Sequence, residues 1–167
     1  DPNMATMLSF ITTDAKISSD LLRTMLIEAS DSSFNMITID GDTSTNDTVL
    51  ILANGAAGAP TICEGTEEES LFRQALHQVC IYLAKEIIRD AEGAGKLIAV
   101  TVESAKTNLQ ARDGARTIAG STLVKTAVHG NDPNWGRIVA ALGRSGADIS
   151  EHLIALYIND VCIMERG

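Results

Sequence analysis

The chain has 167 residues, of which 45% are hydrophobic and 21% are charged, a composition typical of a globular protein with a real core. The formal net charge is -9 and Lys and Arg form no cluster, which argues against nucleic-acid binding, so no nucleic-acid partner is expected. No apolar run approaches the roughly 18 residues of a membrane span, so no membrane attachment is expected either.

The N-terminal part of the sequence alternates between strand and helix patterns. Residues 7–12 predict a strand, and apolar residues at helical spacing then predict a helix that a serine caps and that ends near Ala29. Residues 34–39 predict a second strand. The nearly continuous apolar run 48–53 predicts a third strand that is buried on both faces.

A glycine-rich stretch, residues 54–65, predicts a boundary between a segment of residues 1–60 and a second segment of residues 61–167. The clearest helix of the sequence follows this boundary. Thr66 and Glu69 match a capping box at its start, apolar residues hold helical spacing along it, and glycines end it.

The C-terminal part predicts a mixture of both element types. Residues 97–102 predict a strand, and residues 108–128 predict a helix with an interruption at a Gly-Ser pair. Residues 131–134 form a turn that caps a short helix over 135–142, and the end of the chain resembles a hairpin. The chain is therefore expected to belong to the α+β or α/β class.

The three cysteines, Cys63, Cys80 and Cys162, are widely spaced and odd in number. They form no Cys-x-x-Cys pair and no ligand set with the histidines, so no metal site is expected. Reduced thiols and an intracellular compartment are the natural inference.

A Thr near the start of the sequence is a candidate nucleophile. If the chain is cut between Ala5 and Thr6, the new α-amine of Thr6 lies beside its hydroxyl and acts as the base. Such an amine titrates near about 7.7–8.0, so part of it is neutral at physiological pH. The same hydroxyl can first attack the Ala5 carbonyl, which makes the cleavage self-catalysed. The alternative is an ordinary residue at the entry of a strand.

A polar loop, residues 40–48, lies between two predicted strands. It does not match a calcium loop, because Thr45 occupies the required Gly position. One interpretation is a local turn whose side chains bond the backbone. The other is a set of orienting groups around a nucleophile, supplied by Thr45, Asn46 and Asp47.

Two acidic residues stand at the C-terminal end of the long predicted helix. Asp90 and Glu92 oppose the helix dipole there, which slightly favours a functional carboxylate over a solvated helix end. The glycines that follow, up to Lys96, do not have the spacing of a phosphate-binding loop.

The segment from His129 to Arg137 surrounds the single Trp of the chain. His129 with Asp132 and a serine would form a hydrolase triad, but no nucleophile-elbow pattern selects the serine. The pattern favours the alternative, a packing role.

Taken in order, these segments resemble the glutamate N-acetyltransferase family of arginine biosynthesis, also called the ornithine acetyltransferase family. The resemblance covers essentially the whole chain. It rests on Pro2-Asn3-Met4-Ala5-Thr6-Met7-Leu8, Gly41-Asp42-Thr43-Ser44-Thr45-Asn46-Asp47-Thr48, Asp90-Ala91-Glu92-Gly93-Ala94 and Asp132-Pro133-Asn134-Trp135-Gly136-Arg137-Ile138.

The resemblance implies an α+β fold, a sandwich of helices around stacked sheets that is shared with certain N-terminal-nucleophile aminopeptidases. Residues 1–60 would form the C-terminal part of this catalytic domain, beginning at the cleavage site. Residues 61–167 would form a second, smaller α/β domain.

The resemblance also implies the chemistry. A precursor cleaves itself between Ala5 and Thr6, after which Thr6 takes acetyl from N-acetylornithine and passes it to glutamate. Glu92 matches a substrate-binding Glu of the family, which suits the ornithine amine. Thr45 and Asp47 are the expected counterparts of a hydroxyl and carboxylate pair in the related aminopeptidases.

The expected partner is an α chain from the same precursor, in an assembly of two α and two β chains. No cofactor is expected, although some members also use acetyl-CoA as a substrate. Family chains are about twice this length. The Thr-Gly pair expected to form the oxyanion hole and a C-terminal segment that closes over the substrate are absent from this sequence, so this piece alone is expected to be inactive. The expected compartment is the cytoplasm, or the mitochondrial matrix in a eukaryote.

Two other functions fit the same residues. An N-terminal-nucleophile amidase or aminopeptidase would use water in place of glutamate as the acceptor. A non-catalytic fragment would keep the fold while the bond between Ala5 and Thr6 stays intact.

Overall fold

The structure, a computed structural model, describes residues 7–42 and 44–167. Helices and strands occur in mixed order, which confirms the predicted α+β class. None of the described helices is both long enough and apolar enough to cross a membrane. Two compact units are present: a first unit of described residues up to 37 and from 42 to 87, and a second unit of residues 38–41 and 88–167.

The first unit is a strand–helix–strand arrangement followed by a long helix. Its elements are β1 Leu8–Thr13, α1 Ser19–Asp31, β2 Thr48–Ala53 and α2 Glu67–Arg89, whose last residues belong to the second unit. β1 and β2 pair in parallel, with Leu8 opposite Thr48. Parallel strands begin at the same edge of a sheet, so the residues that precede β1 and β2 are neighbours.

The core of the first unit lies between α1, α2 and one face of the sheet. Ile11 of β1 and Ile51 of β2 pack against it. Burying an aliphatic side chain of this kind contributes about 1.5–3 kcal/mol, so this cluster fixes the sheet on its two helices. Its buried members are Met25, Ala29, Phe34, Leu76, Cys80 and Ala84.

The opposite face of the sheet is open within the described residues, so the prediction that β2 is buried on both faces is wrong there. Leu50 and Leu52 are 45% and 62% exposed, and Leu8 and Phe10 of β1 are 59% and 64% exposed. Successive side chains of a strand point to opposite faces, which explains why the inward neighbours are covered. We call these four exposed side chains the open apolar face.

The second predicted strand is also wrong, because the structure has a short 3-10 helix, Phe34–Met36, in its place. The Ser33 hydroxyl donates to the Ala29 carbonyl at 2.5 Å, and the N–H of the last residue of this helix donates to the Ser33 carbonyl at 2.9 Å. These local bonds continue the turn of α1 and direct Phe34 into the core.

Both predicted helix starts in this unit are confirmed. At α1, Ser18 Oγ accepts from the Leu21 N–H at 3.3 Å. At α2, Thr66 Oγ1 accepts from the Glu69 N–H at 3.2 Å, and the Glu69 carboxylate accepts from the Gly65 N–H at 2.6 Å. The first bond is that of the expected capping box, whereas the carboxylate reaches one residue further back than a capping box requires, to Gly65 instead of Thr66.

The predicted boundary between residues 60 and 61 does not coincide with the division between the compact units, which falls after Ile87. The reason is that α2 contributes Leu76 and Cys80 to the core of the first unit. A helical pattern predicts a long helix but not the core that the helix completes. The division of the full-length protein into domains stays a prediction.

The second unit contains three α-helices, a short 3-10 helix over Glu151–Leu153 and a hairpin. Its elements are α3 Asn108–Ala119, α4 Thr122–His129, α5 Trp135–Gly143, β3 Ala155–Ile158 and β4 Val161–Glu165. Ile118, Val124 and Ala141 form its buried core. The predicted hairpin is confirmed because β3 and β4 pair in antiparallel fashion, and the predicted helix break is confirmed because Ser121 caps α4.

Residues 97–103 show the side-chain alternation of a strand without a strand partner. Ile98, Val100 and Val102 are half-buried, whereas the residues between them are exposed. In the described part of the chain, no main-chain hydrogen bond involves this segment. The strand predicted over 97–102 therefore has no strand partner among the described residues. This is unusual, because main-chain N–H and C=O groups normally find hydrogen-bond partners in folded proteins.

Candidate functional site

The candidate nucleophile lies outside the described residues. Ala5, Thr6 and residues 1–4 precede Met7, the first described residue, and Thr43 of the polar loop is also outside. Met7 is bonded directly to Thr6 in the sequence and leads into β1.

The loop that precedes β2 binds Met7 through the main chain. The Met7 N–H donates to Asp47 Oδ1 at 2.9 Å, and the Met7 carbonyl accepts from the Thr48 N–H at 2.8 Å. Both bonds follow from the parallel register, which brings the entries of the two strands together. Asp47, a predicted supporting residue, thus contacts the residue that follows the candidate nucleophile.

Short-range hydrogen bonds shape the rest of the supporting loop. The Asn46 N–H donates to Ser44 Oγ at 3.1 Å, and the Thr48 hydroxyl donates to the Asn46 carbonyl at 3.0 Å. Thr45, Asn46 and Asp47 are exposed. Local bonds thus form the turn, as one interpretation predicts, while the role of the exposed side chains around a nucleophile stays a prediction.

Glu92 lies in the turn that follows α2. The Ala94 N–H donates to the Ala91 carbonyl at 2.9 Å, which closes the turn. Gly93 has a φ of +72°, a backbone conformation that glycine adopts without strain. The Glu92 side chain is exposed, so its carboxylate is accessible to a ligand. It belongs to the second unit, whereas Asp47 belongs to the first.

Lys96, at the end of the same turn, contacts the C-terminal end of α4. Its Nζ donates to the carbonyls of Val128 and His129 at 2.5 Å and 3.1 Å, and also to the side-chain oxygen of Asn131. A helix C-terminus carries unpaired carbonyls and partial negative charge, so an ammonium group is favourable there. This contact joins two segments that the sequence singles out separately.

The sequence alone does not reveal the role of Lys96. In the sequence it stands out only as the lysine of an incomplete phosphate-loop pattern. The one local signal is its position after two glycines and before an apolar run. That signal becomes meaningful only when the fold shows which helix ends nearby.

The segment before α5 is held together by its own side chains. Asn134 caps α5 by accepting from the Arg137 N–H at 3.2 Å, and its side-chain amide donates to Asp132 at 2.9 Å. The Arg137 guanidinium donates to two oxygens of α4, each at 3.1 Å. Within the described residues His129 and Asp132 form no hydrogen bond with each other, so a hydrolase triad is not supported there. Trp135 is 51% exposed, so the packing role stays a prediction.

The second unit also contains an open groove of about 1110 Å³. It is lined by residues of the segment described above, of β3, and of α3, α4 and α5. Leu97, Leu153 and Tyr157, which line it, are 43%, 75% and 60% exposed. The groove therefore combines exposed apolar side chains with main chain that has no main-chain hydrogen-bond partner among residues 7–42 and 44–167.

Among the cysteines, Cys63 and Cys162 are exposed and Cys80 is buried. Burial raises the pKa of the Cys80 thiol, against a smaller lowering effect of its hydrogen bond with Ser33. The thiol therefore stays protonated in the core and is no candidate for nucleophilic chemistry. Across residues 7–42 and 44–167, no group of three or more His, Cys, Asp or Glu side chains is arranged to hold a metal ion.

Comparison with known proteins decides the family of the chain. The family model described as the ArgJ family matches residues 1–167. The chain belongs to the ArgJ family. This result confirms the family that the four sequence motifs indicate.

Relatives in this family are similar over nearly the whole chain. The arginine biosynthesis bifunctional protein ArgJ of Dehalococcoides mccartyi (strain CBDB1) is 57% identical over 99% of this chain and 41% of that protein. The protein of the same name from Bacillus subtilis (strain 168) is 50% identical over the same shares. The chain thus spans about two fifths of the length of these relatives.

A solved structure of the family has the same fold. The crystal structure of the arginine biosynthesis bifunctional protein ArgJ from Bacillus halodurans matches with a TM-score of 0.93 at 44% identity. The match covers 96% of this chain and 75% of that one. The predicted fold is therefore confirmed at the level of the family.

Proposed function

We propose that this chain is the part of an ArgJ-family enzyme that carries the nucleophile, and that the full-length enzyme transfers acetyl from N-acetylornithine to glutamate. The names of the relatives support a role in arginine biosynthesis. The observation that carries the proposal is the 2.9 Å bond between the Met7 N–H and Asp47. It holds the start of β1, one residue from Thr6, beside a loop of polar side chains.

The proposed chemistry begins with self-cleavage: the Thr6 hydroxyl attacks the Ala5 carbonyl and the amide C–N bond breaks, which frees the Thr6 amine. Water then hydrolyses the resulting ester, so that Ala5 ends as a carboxylate and the Thr6 hydroxyl is regenerated. This amine takes the proton of the Thr6 hydroxyl as the oxygen attacks the acetyl carbon of N-acetylornithine. The amide C–N bond breaks, and ornithine leaves with the proton on its amine. The amine of glutamate then attacks the acetyl-Thr6 ester and leaves as N-acetylglutamate, which regenerates the hydroxyl.

In this proposal the supporting loop keeps the strand entry in place during both half-reactions. The Asp47 carboxylate holds the Met7 N–H, so the backbone next to Thr6 has a defined position. Thr45 and Asn46 are exposed beside it and offer a hydroxyl and an amide to the same region. Pre-positioned groups of this kind lower the cost of bringing the reactants into line.

Glu92 is proposed to bind the side-chain ammonium of N-acetylornithine. Its carboxylate is exposed in a turn that has glycine on its C-terminal side. A carboxylate and an ammonium group form a charge-assisted hydrogen bond, which is stronger than a neutral one. Glutamate has no side-chain ammonium, so this contact would distinguish the donor substrate from the acceptor.

The proposed partner is the rest of the same precursor, as an α chain in an assembly of two α and two β chains. The open apolar face supports this partner, because four large side chains on one sheet face are exposed. The unpaired segment 97–103 supports it as well, since its main-chain groups lack partners among the described residues. Contiguous exposed apolar surface commonly marks an interface.

The proposed reaction draws all its atoms from the two substrates, so the proposal includes no cofactor. Acetyl-CoA is an alternative acetyl donor that would enter at the same acetyl-Thr6 step. The relatives named above are bacterial proteins, which supports the cytoplasm as the compartment.

The full-length protein with Thr6→Ala tests the proposal. We expect the variant to remain uncleaved and to lose acetyl transfer, while the unaltered protein yields a chain whose mass begins at Thr6. Transfer that persists in Thr6→Ala would refute the nucleophile assignment. A second arm omits glutamate: acetate release at an undiminished rate would identify an N-terminal-nucleophile amidase. An intact bond between Ala5 and Thr6 in the unaltered protein would identify a non-catalytic chain.

A further inference from the structure

We propose that Lys96 is a positioning residue that fixes the turn carrying Glu92 on the end of α4. This inference rests on the proposed substrate contact of Glu92 and adds a residue to it. Lys96 itself touches no substrate in this proposal and acts through the position of the Glu92 carboxylate.

The turn that carries Glu92 has little packing of its own. Residues 92–97 are all exposed. A Cβ atom built on Gly93 or Gly95 would meet no atom within 4 Å, so neither position is in contact with a neighbouring element. Two glycines also give the backbone wide conformational freedom. The position of Glu92 therefore depends on what holds the ends of the turn.

One end of the turn is the C-terminus of α2, and the other is Lys96. The Lys96 ammonium has three donor hydrogens and contacts three oxygens, those of Val128, His129 and the Asn131 side chain. A lysine whose three ammonium hydrogens are all bonded at one place has few side-chain rotamers left to adopt. The contact therefore fixes the backbone at position 96 as well as the side chain.

The structure that receives Lys96 is well ordered by its own contacts. Val124 and Ala127 of α4 are buried. Beyond the helix, Asn131 adopts a φ of +57°, and the Asp132 N–H donates back to the Ala127 carbonyl at 2.9 Å. A flexible turn fixed to a packed helix end takes its position from that helix, which is how supporting contacts fix functional groups.

The same contacts keep Lys96 away from Glu92. No ion pair between these two residues is formed within residues 7–42 and 44–167. If the ammonium turned back to Glu92, it would neutralise the carboxylate that is proposed to bind the substrate ammonium. Engagement of Lys96 by α4 therefore leaves the negative charge of Glu92 available.

The experiment measures kcat and both KM values in the full-length protein for Lys96→Met, Lys96→Arg and Glu92→Gln, with Lys85→Met as the matched control on an exposed lysine of α2. We expect Lys96→Met to raise the KM for N-acetylornithine about tenfold, with the KM for glutamate nearly unchanged. Lys96→Arg should restore most of the loss, because a guanidinium also donates to carbonyl oxygens. Lys85→Met should match the unaltered protein.

The Asn131→Gly variant tests the same Lys96 contact without depending on whether Lys96→Met folds. Glycine adopts the positive φ of this position and removes the side chain whose oxygen accepts from Lys96, while the two carbonyl contacts stay, so a smaller rise in the same KM is expected. Equal changes in both KM values, or failure of Lys96→Arg to restore the affinity, would overturn the positioning role. If Glu92→Gln raises the KM for N-acetylornithine and Lys96→Met does not, the positioning role is wrong. If Glu92→Gln has no effect, the proposed function of Glu92 is wrong instead.

Discussion

The main-chain N–H of Met7 donates a 2.9 Å hydrogen bond to the carboxylate of Asp47, forty positions later in the sequence. The contact exists because β1 and β2 run in parallel with Leu8 opposite Thr48, so both strands start at one edge of the sheet. α1 makes the return that such pairing requires. A polar loop and the strand entry next to a candidate nucleophile thus meet through topology.

Replacing Asp47 with Ala should impair self-cleavage more than folding. The substitution removes an acceptor at an exposed site, so the free energy of unfolding should fall by only about 1 kcal/mol. Asp47→Asn keeps an oxygen for the Met7 N–H and should retain most of the processing rate. Mass spectrometry of the full-length protein over time measures the processing. Asp14→Ala, just after the other end of β1, is the control, and equal slowing in both variants would contradict the assignment.

Replacing Glu69 with Ala should destabilise the start of α2. The side chain bonds the Gly65 N–H at 2.6 Å and Arg73 at 2.5 Å, and the residue is only 9% exposed. Loss of a capping interaction typically costs about 1 kcal/mol, and Arg73 keeps its ion pair with Glu28, so the total loss should stay near that value. Urea unfolding measures the change. Glu68→Ala, at an exposed neighbour, should have a much smaller effect; a similar effect would show that the capping box is not the cause.

Cys80 should resist alkylation in the folded protein. Burial raises its pKa above the unfolded value, so the thiolate that reacts is scarce as well as inaccessible. The protonated thiol therefore stabilises the fold fully below the unfolded pKa, and this contribution is lost as the pH rises through the folded pKa. Iodoacetamide labelling with mass spectrometry should modify exposed Cys63 first. Rapid labelling of Cys80 at neutral pH without unfolding would contradict its burial.

Residues 97–103 should gain main-chain partners in the full-length protein. Because the side chains already alternate between half-buried and exposed, a strand from the rest of the protein can pair with the open N–H and C=O groups. Hydrogen exchange of the full-length protein should show these amides protected. The exposed amides of Gly58 and Ala59, which donate no hydrogen bond within the described residues, provide an unprotected reference in the same sample. Equally fast exchange in both segments would rule the pairing out.

Local patterns in the sequence predicted the elements whose stability is local. Ser18 and the capping box at Thr66 mark their helices correctly, since a cap depends on residues within one turn. Such patterns do not predict the 3-10 helix that begins at Phe34. An aromatic residue near a helix end fits a strand or a turn equally well until the position of the core is known. The burial of Leu50 depends on what covers its face, which local periodicity does not report.

The candidate site also contains features that the sequence predicts and features that only the fold reveals. The chemistry of Thr6 and the supporting loop is visible in residue types and motifs. The bond from Met7 to Asp47 is not, because strand direction and register depend on α1 packing against the sheet. Lys96 is missed for a related reason, since its partners lie more than thirty positions away on α4.

The hydrogen bonds of the Met7 N–H and carbonyl have a consequence for a protein that cleaves its own backbone. A new chain end usually frays, because nothing restrains its first residues. Here the N–H of Met7 is bound by Asp47 and its carbonyl by the Thr48 N–H, and the ladder of β1 with β2 continues from the next residue. If the proposed cleavage occurs, Thr6 becomes the new N-terminus. The next residue, Met7, is then already held by hydrogen bonds of its main chain that do not depend on the cleaved bond. Scission would then change the chemistry of the chain end without loosening the strand behind it.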